Sequence, residues 1–167
     1  MKHNEEGEFD KLCEFFNEAK IQYKRECIPD ICKDWELPYR VDLIINIPKY
    51  GLIGIEGKHI RSLGQGGIIG KALKQIKYKY YGKKYYGYNI RQWCLFLPRI
   101  GDIDNDRNRV FTRHLLNEMG CGFLEYFNTP YSKYVKINSN TQFGITIHNN
   151  GKIEIKNKAI NKKWVMF

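Results

Sequence analysis

Between Tyr39 and Ile60 the chain carries two β-rich stretches, "YRVDLIINI" and "LIGIEGKHI", separated by "PKYG". β-branched runs on either side of a Pro/Gly turn predict an antiparallel hairpin, Tyr39–Ile47 returning as Leu52–Ile60. A hairpin this apolar has to be buried, and the rest of the chain must pack around it. Charges nevertheless interrupt it, among them Asp42 in the first arm and Glu56 and Lys58 in the second. Side chains alternate along a strand, so Glu56 and Lys58 share a face and Gly57 points the other way. Asp42, flanked by Val41 and Leu43, projects opposite to those core residues. The hairpin therefore brings Asp42 beside Glu56, with Lys58 one step along. The plain reading is a strand-end ion pair. The chemical reading is a site for phosphodiester hydrolysis. In that site two carboxylates hold Mg²⁺, a hard ion that takes oxygen ligands, and a lysine orients water or neutralises developing charge. Acids placed alone in an apolar strand are costly, and a metal accounts for both at once.

The flanking elements follow from periodicity. Phe9, Leu12, Cys13 and Phe16 predict an amphipathic helix over 7–19. "IQYKREC" (Ile21–Cys27) alternates as a strand, and "IPDICKDWELP" is an irregular connection. After the glycine-rich "RSLGQGG", which lacks the GK[ST] of a phosphate loop, Ile68, Ile69, Ala72, Leu73, Ile76 and Tyr80 form the apolar stripe of a helix over 68–81. "GKKYYGYN" breaks it. A buried strand over Arg91–Ile100, a helix over Arg107–Met119 capped by Gly120, and a strand over Gly122–Phe127 follow. The tail alternates in "YVKIN", "FGITIH" and "KIEIKN", with "NNG" as a hairpin turn. This order (αβββαβαβ, then hairpins) predicts an α/β fold with helices on both faces of a mixed sheet. Two units are expected: a core over 1–130 and a small C-terminal β appendage over 131–167.

Composition narrows the class of partner. A chain of 167 residues, 43% hydrophobic and 14% aromatic, has the means to build a core. Its net charge of +10 favours a polyanionic partner. No apolar run reaches the roughly 18 residues of a membrane span, and the polar, acidic start is unlike a signal peptide. No membrane association is expected, and the expected location is the cytoplasm. Five cysteines, an odd count without a CxxC pair, read as reduced, partly buried thiols. Cys27 and Cys32 have no second close pair to complete a zinc site.

The residues Tyr39-Arg40-Val41-Asp42 followed by Gly54-Ile55-Glu56-Gly57-Lys58 resemble the PD-(D/E)XK nuclease superfamily, and the element order is similar to that family's over about Gly7 to Phe127. The family's proline is displaced: Pro38 stands four residues before Asp42. The resemblance implies a restriction-endonuclease-like sheet flanked by helices, with Asp42 and Glu56 as ligands of Mg²⁺ (Mn²⁺ substituting) and Lys58 as catalytic lysine. Many members, including the archaeal Holliday-junction resolvases, add a glutamate near the start of the first helix. Glu8 fits best, with Glu5 and Glu14 as alternatives. Others place a glutamine on the helix after the Glu-x-Lys strand, which Gln75 matches. The exonuclease-type spacing of Gln and Tyr four apart is absent, because position 79 is Lys. Nor are there clustered C-terminal cysteines, so no iron–sulfur cluster is expected. His59 and Arg61 follow the motif and are candidates for phosphate contact; strand-end residues facing solvent are the alternative.

"KALKQIKYKYYGKKYYGY" (Lys71–Tyr88) alternates base and aromatic. Lys71, Lys74, Lys77 and Lys79, with Lys83 and Lys84, are expected to contact phosphate. Tyr78, Tyr81, Tyr85 and Tyr86 either stack on bases or pack under the sheet. The expectation is a Mg²⁺-dependent DNA endonuclease, structure-selective on branched DNA or restriction-like, paired as a homodimer through the β tail. The alternatives are a binding protein of the same fold without catalysis, an RNA-processing nuclease, and a module whose basic face binds an acidic protein.

Overall fold

A computed structural model describes residues 5–31, 40–58, 66–98, 105–140 and 143–157. The central hairpin forms as its residue types require. Strand β2 (Val41–Ile47) returns as β3 (Gly51–Gly57), paired from Ile47↔Gly51 to Leu43↔Ile55. Strand β1 (Gln22–Cys27) lies antiparallel on the outer side of β2. On the other side of β3, strand β6 (Gln92–Phe96) is parallel, and β7 (Gly122–Asn128) is parallel to β6. Each parallel junction needs a crossover. The first contains helix α2 (Gly66–Gln75) and the second helix α3 (Asn105–Glu118).

The first helix, α1 (Glu5–Glu18), packs on the opposite face from α2 and α3. Its inward stripe, Phe9, Leu12, Phe15 and Phe16, meets Leu43, Ile45, Ile53 and Ile55 in one core. Ile69, Ala72, Ile76, Tyr80 and Leu116 from the other helices meet Ile44, Trp93, Leu95 and Phe123 in a second core on the far side of the sheet. The architecture is mixed α/β, with three helices around one large mixed sheet among the described residues.

The C-terminal strands β8 (Lys133–Asn140), β9 (Phe143–His148) and β10 (Ile153–Asn157) extend this sheet antiparallel from β7, giving the order β1-β2-β3-β6-β7-β8-β9-β10. Val135, Ile137, Ile145 and Ile147 join the α1 core, so the sheet curls around that helix. Alternation alone reads this stretch as a separate unit, because it shows which residues share a face and is silent on what the face meets.

Two local features depart from the expected elements. The helix over 68–81 is α-helical only to Gln75, and Ile76–Tyr80 form a π-helical turn closed by Tyr81 N–H donating to Ile76 O at 2.8 Å. The helix-breaking "GKKYYGYN" is itself a short hairpin, β4 (Lys84–Tyr85) with β5 (Tyr88–Asn89). Among the described residues, no helix is long and apolar enough to cross a membrane.

Candidate functional site at the open end of the central hairpin

The pairing of β2 with β3 ends at Leu43↔Ile55. One residue further, the same register sets Asp42 opposite Glu56, and opposite residues in a sheet share a face. There the Asp42 carboxylate accepts the Gly57 N–H at 2.9 Å. Gly57 turns its α-carbon toward α1, where a Cβ would fall 2.2 Å from the Phe9 ring. Glu56 therefore faces the α2 side, where it is 3% exposed. Lys58 follows on the same face, its ammonium 3.8 Å from Glu56 Oε1.

Beneath the acids stands Tyr80, fully buried and stacked on Trp93 at 5.5 Å. Its hydroxyl donates to Arg40 O at 2.9 Å and accepts from Gln75 Nε2 at 2.6 Å. Burial pushes the Tyr80 hydroxyl far above the usual phenol range, and the negative charges of Glu56 and Asp42 push it further. Tyr80 is the last residue of the π turn, and its hydroxyl reaches the residue that precedes β2. Gln75 is thus bonded to the tyrosine that braces Arg40.

Glu8 begins on the other side of the sheet. It lines a cavity of about 60 Å³ with Arg109, Pro98 and Glu125, and Lys11 lies 3.7 Å from its carboxylate. Of the alternatives to it, Glu14 is exposed and lines a different hollow with Lys11 and Lys133. Lys71, Lys74 and Lys77 are exposed along α2 and its π turn. Tyr78 and Tyr81 are exposed, as is Tyr86, whereas Tyr85 is buried with its ring edge-on to Trp93. His59, Arg61 and the Lys79 side chain lie outside the described residues.

Three participants were not singled out from the sequence. In the sequence Tyr80 belongs to an apolar stripe. Glu125 and Arg113 come from packing: Glu125 is 5% exposed and accepts from Arg113 at 2.9 Å. Lys58 N–H donates to Phe96 O, which carries the parallel ladder one residue further and places Lys58, Leu97 and Glu125 in one row. An acid within the apolar "GFLEYF" is the same signal that marks Glu56.

Among the described residues, no three His, Cys, Asp or Glu side chains gather as a metal-binding group. The donor chemistry of the Asp42–Glu56 pair still suits one small hard cation, since Mg²⁺ commonly takes one or two carboxylates and completes its shell with water. The pair lies at the carboxyl end of β3, the end at which α/β sheets place their ligands. Comparison with protein families, with curated proteins and with solved structures finds no match to this chain.

Proposed function

We propose that the protein is a metal-dependent DNA endonuclease of the PD-(D/E)XK type, with a restriction-endonuclease-like core. The observation that carries this reading is the placement of Asp42 opposite Glu56, with Lys58 two residues on and one face shared. Glu56 is 97% removed from solvent by the fold, a costly position for a carboxylate that has no task there. Asp42 and Glu56 are the residues that would hold Mg²⁺. The ion supplies acidified water and positive charge opposite the phosphate. Lys58 orients the attacking water and stabilises charge developing on phosphate oxygen. Gln75 acts through Tyr80, which fixes the start of β2 and with it Asp42. The exposed lysines of α2 lie on the same side of the sheet and serve as phosphate contacts.

A second reading has its own support. Asp42 already accepts the Gly57 N–H, and Lys58 already faces Glu56, so the three could be internal braces of a nucleic-acid-binding protein. Cleavage of supercoiled plasmid and of a four-way junction separates the two. Wild type, Glu56→Ala and Lys58→Ala are compared in Mg²⁺ and in EDTA. Metal-dependent nicking lost in both variants is the expected result. Intact DNA with salt-sensitive binding by wild type would establish the second reading instead.

A further inference from the structure

A cavity of about 780 Å³ lies apart from the acid pair. It lies at the β1 edge of the sheet, between the end of α1 and the β4–β5 hairpin. Lys20, Lys24, Asn17, Asn46, Tyr86 and Tyr88 are among its walls, and among the described residues that line it there is no Asp or Glu. Ile44 and Leu52 form part of its floor. Its volume falls in the range of small-ligand sites.

One of these walls, Tyr86, is held in place at some cost. The β4–β5 turn is Tyr86-Gly87, with φ of 53° and 83°. Positive φ at both central residues gives the primed turn that a two-residue hairpin favours. Glycine accepts that conformation, but a tyrosine there is strained. Asp30 compensates from the far end of β1. Its carboxylate accepts the Tyr86 N–H at 2.8 Å and the Gly87 N–H at 2.7 Å, while its own N–H donates to Lys84 O at 2.9 Å. The Tyr86 hydroxyl reaches Cys27 Sγ at 3.6 Å. Tyr86 and Tyr88 remain 53% and 69% exposed. Tyr86 is thus fixed, and Tyr88 follows it on β5, at the mouth of a basic, amide-rich cavity with much of their surface in water.

Such a wall has the properties of a stacking platform: aromatic faces for bases, ammonium groups for phosphate, and amide side chains for base edges. We infer that this groove binds unpaired nucleotides of a DNA strand, stacked on Tyr88 and Tyr86 with backbone phosphates on Lys20 and Lys24. The choice of DNA rests on the nuclease reading; the groove itself stands on its own geometry. Asp42 is two residues from Ile44 on β2, so the groove and the acid pair lie along one strand. The preferred substrate is therefore DNA with a single-stranded arm, gap or flap.

The test is fluorescence anisotropy of a labelled oligo(dT), a duplex of equal length and an oligo(rU), all in EDTA so that nothing is cut. Tyr88→Ala is expected to weaken oligo(dT) binding about tenfold, within the range for loss of one stacked base, and to leave the duplex within twofold. Tyr88→Phe, which keeps the ring, should bind as wild type does. Lys24→Ala should weaken oligo(dT) and flatten its salt dependence. Wild-type affinity in Tyr88→Ala would overturn the inference, as would equal loss on both DNA probes or stronger binding of oligo(rU). Circular dichroism of each variant confirms that the fold is kept. Cleavage in Mg²⁺ is scored apart: groove binding without cutting removes the nuclease reading alone, and cutting without the Tyr88 effect removes this inference alone.

Discussion

Glu56 and Lys58 stand in unequal surroundings, and the difference is testable. The Glu56 side chain is 4% exposed and the Lys58 side chain 26%. At 3.8 Å the attraction is about 4 kcal/mol for an effective dielectric near 20, set against the desolvation of a nearly buried acid. Lys58→Ala removes the cation and leaves the acid, and a loss of about 1–2 kcal/mol is expected, the pair being partly solvated. Glu56→Gln removes the buried charge and keeps the shape. If the acid is retained for function, this variant melts at or above wild type. A melting curve for each variant checks both, and a lower Tm for Glu56→Gln would mark the acid as structural. The thiols give a second residue-scale prediction. Cys13, Cys27, Cys94 and Cys121 are buried and free, and burial pushes Cys121 from 9.0 up to about 12. With Cys32 replaced by Ser, native protein should not react with a thiol-specific reagent at pH 8, whereas four thiols should titrate in denaturant. Rapid native labelling would contradict this burial.

At the scale of elements, the hairpin was legible because three independent signals agreed: β-branched runs, a Pro/Gly turn, and charges at matching offsets. The π turn was not. Helical periodicity locates a stripe, and one residue inserted in the last turn leaves Ile76 and Tyr80 on that stripe. The turn ends at Tyr80, whose ring stacks on Trp93 and whose hydroxyl bonds Arg40 O. The β4–β5 hairpin was missed for a related reason: two-residue strands are too short to show alternation. Gly57 shows how closely the elements are fitted. Gly57→Ala would drive a Cβ into the Phe9 ring, and overpacking of this kind costs about 1–3 kcal/mol. The expected Tm drop is about 2–12 °C for a chain of this size. Phe9→Leu in the same background should recover part of it. An unchanged Tm would show that the Phe9 ring yields.

For the whole molecule, the question is whether residues 133–157 belong to the core they cover. Val135, Ile137, Ile145 and Ile147 are each at most 1% exposed and pack with α1. Burying such side chains is worth about 1.5–3 kcal/mol each, or about 6–12 together, comparable with the entire stability of a domain. A chain ending at Asn128 should therefore fail to fold, giving a collapsed state without cooperative melting. A sharp melt would show that the tail is a separable unit. Alkali should unfold the protein in a defined window. Burial raises Cys13, Cys27, Cys94 and Cys121 above 9.0. The unfolded chain thus releases these protons first. The stability they contribute is full below pH 9 and is lost as pH rises toward 12. Tm against pH should be level to about 8.5 and then fall.

The sequence by itself determined the class of fold, the position of the central hairpin and the nearness of Glu56 to Lys58 on one strand. Each depends on local rules, namely a two-residue or 3.6-residue period and a turn of defined chemistry, and such rules act within a few residues of chain. Only the tertiary structure decided that the last three strands close over α1, that Glu125 and Arg113 stand in the row of Lys58, and that Tyr80 lies beneath the acids. It also decided that Asp30 holds Tyr86 at the rim of a basic groove 56 residues away in the chain. These are encounters between distant segments, and no local period encodes them. They follow from which apolar faces must be covered and which polar groups must find a partner once those faces have closed.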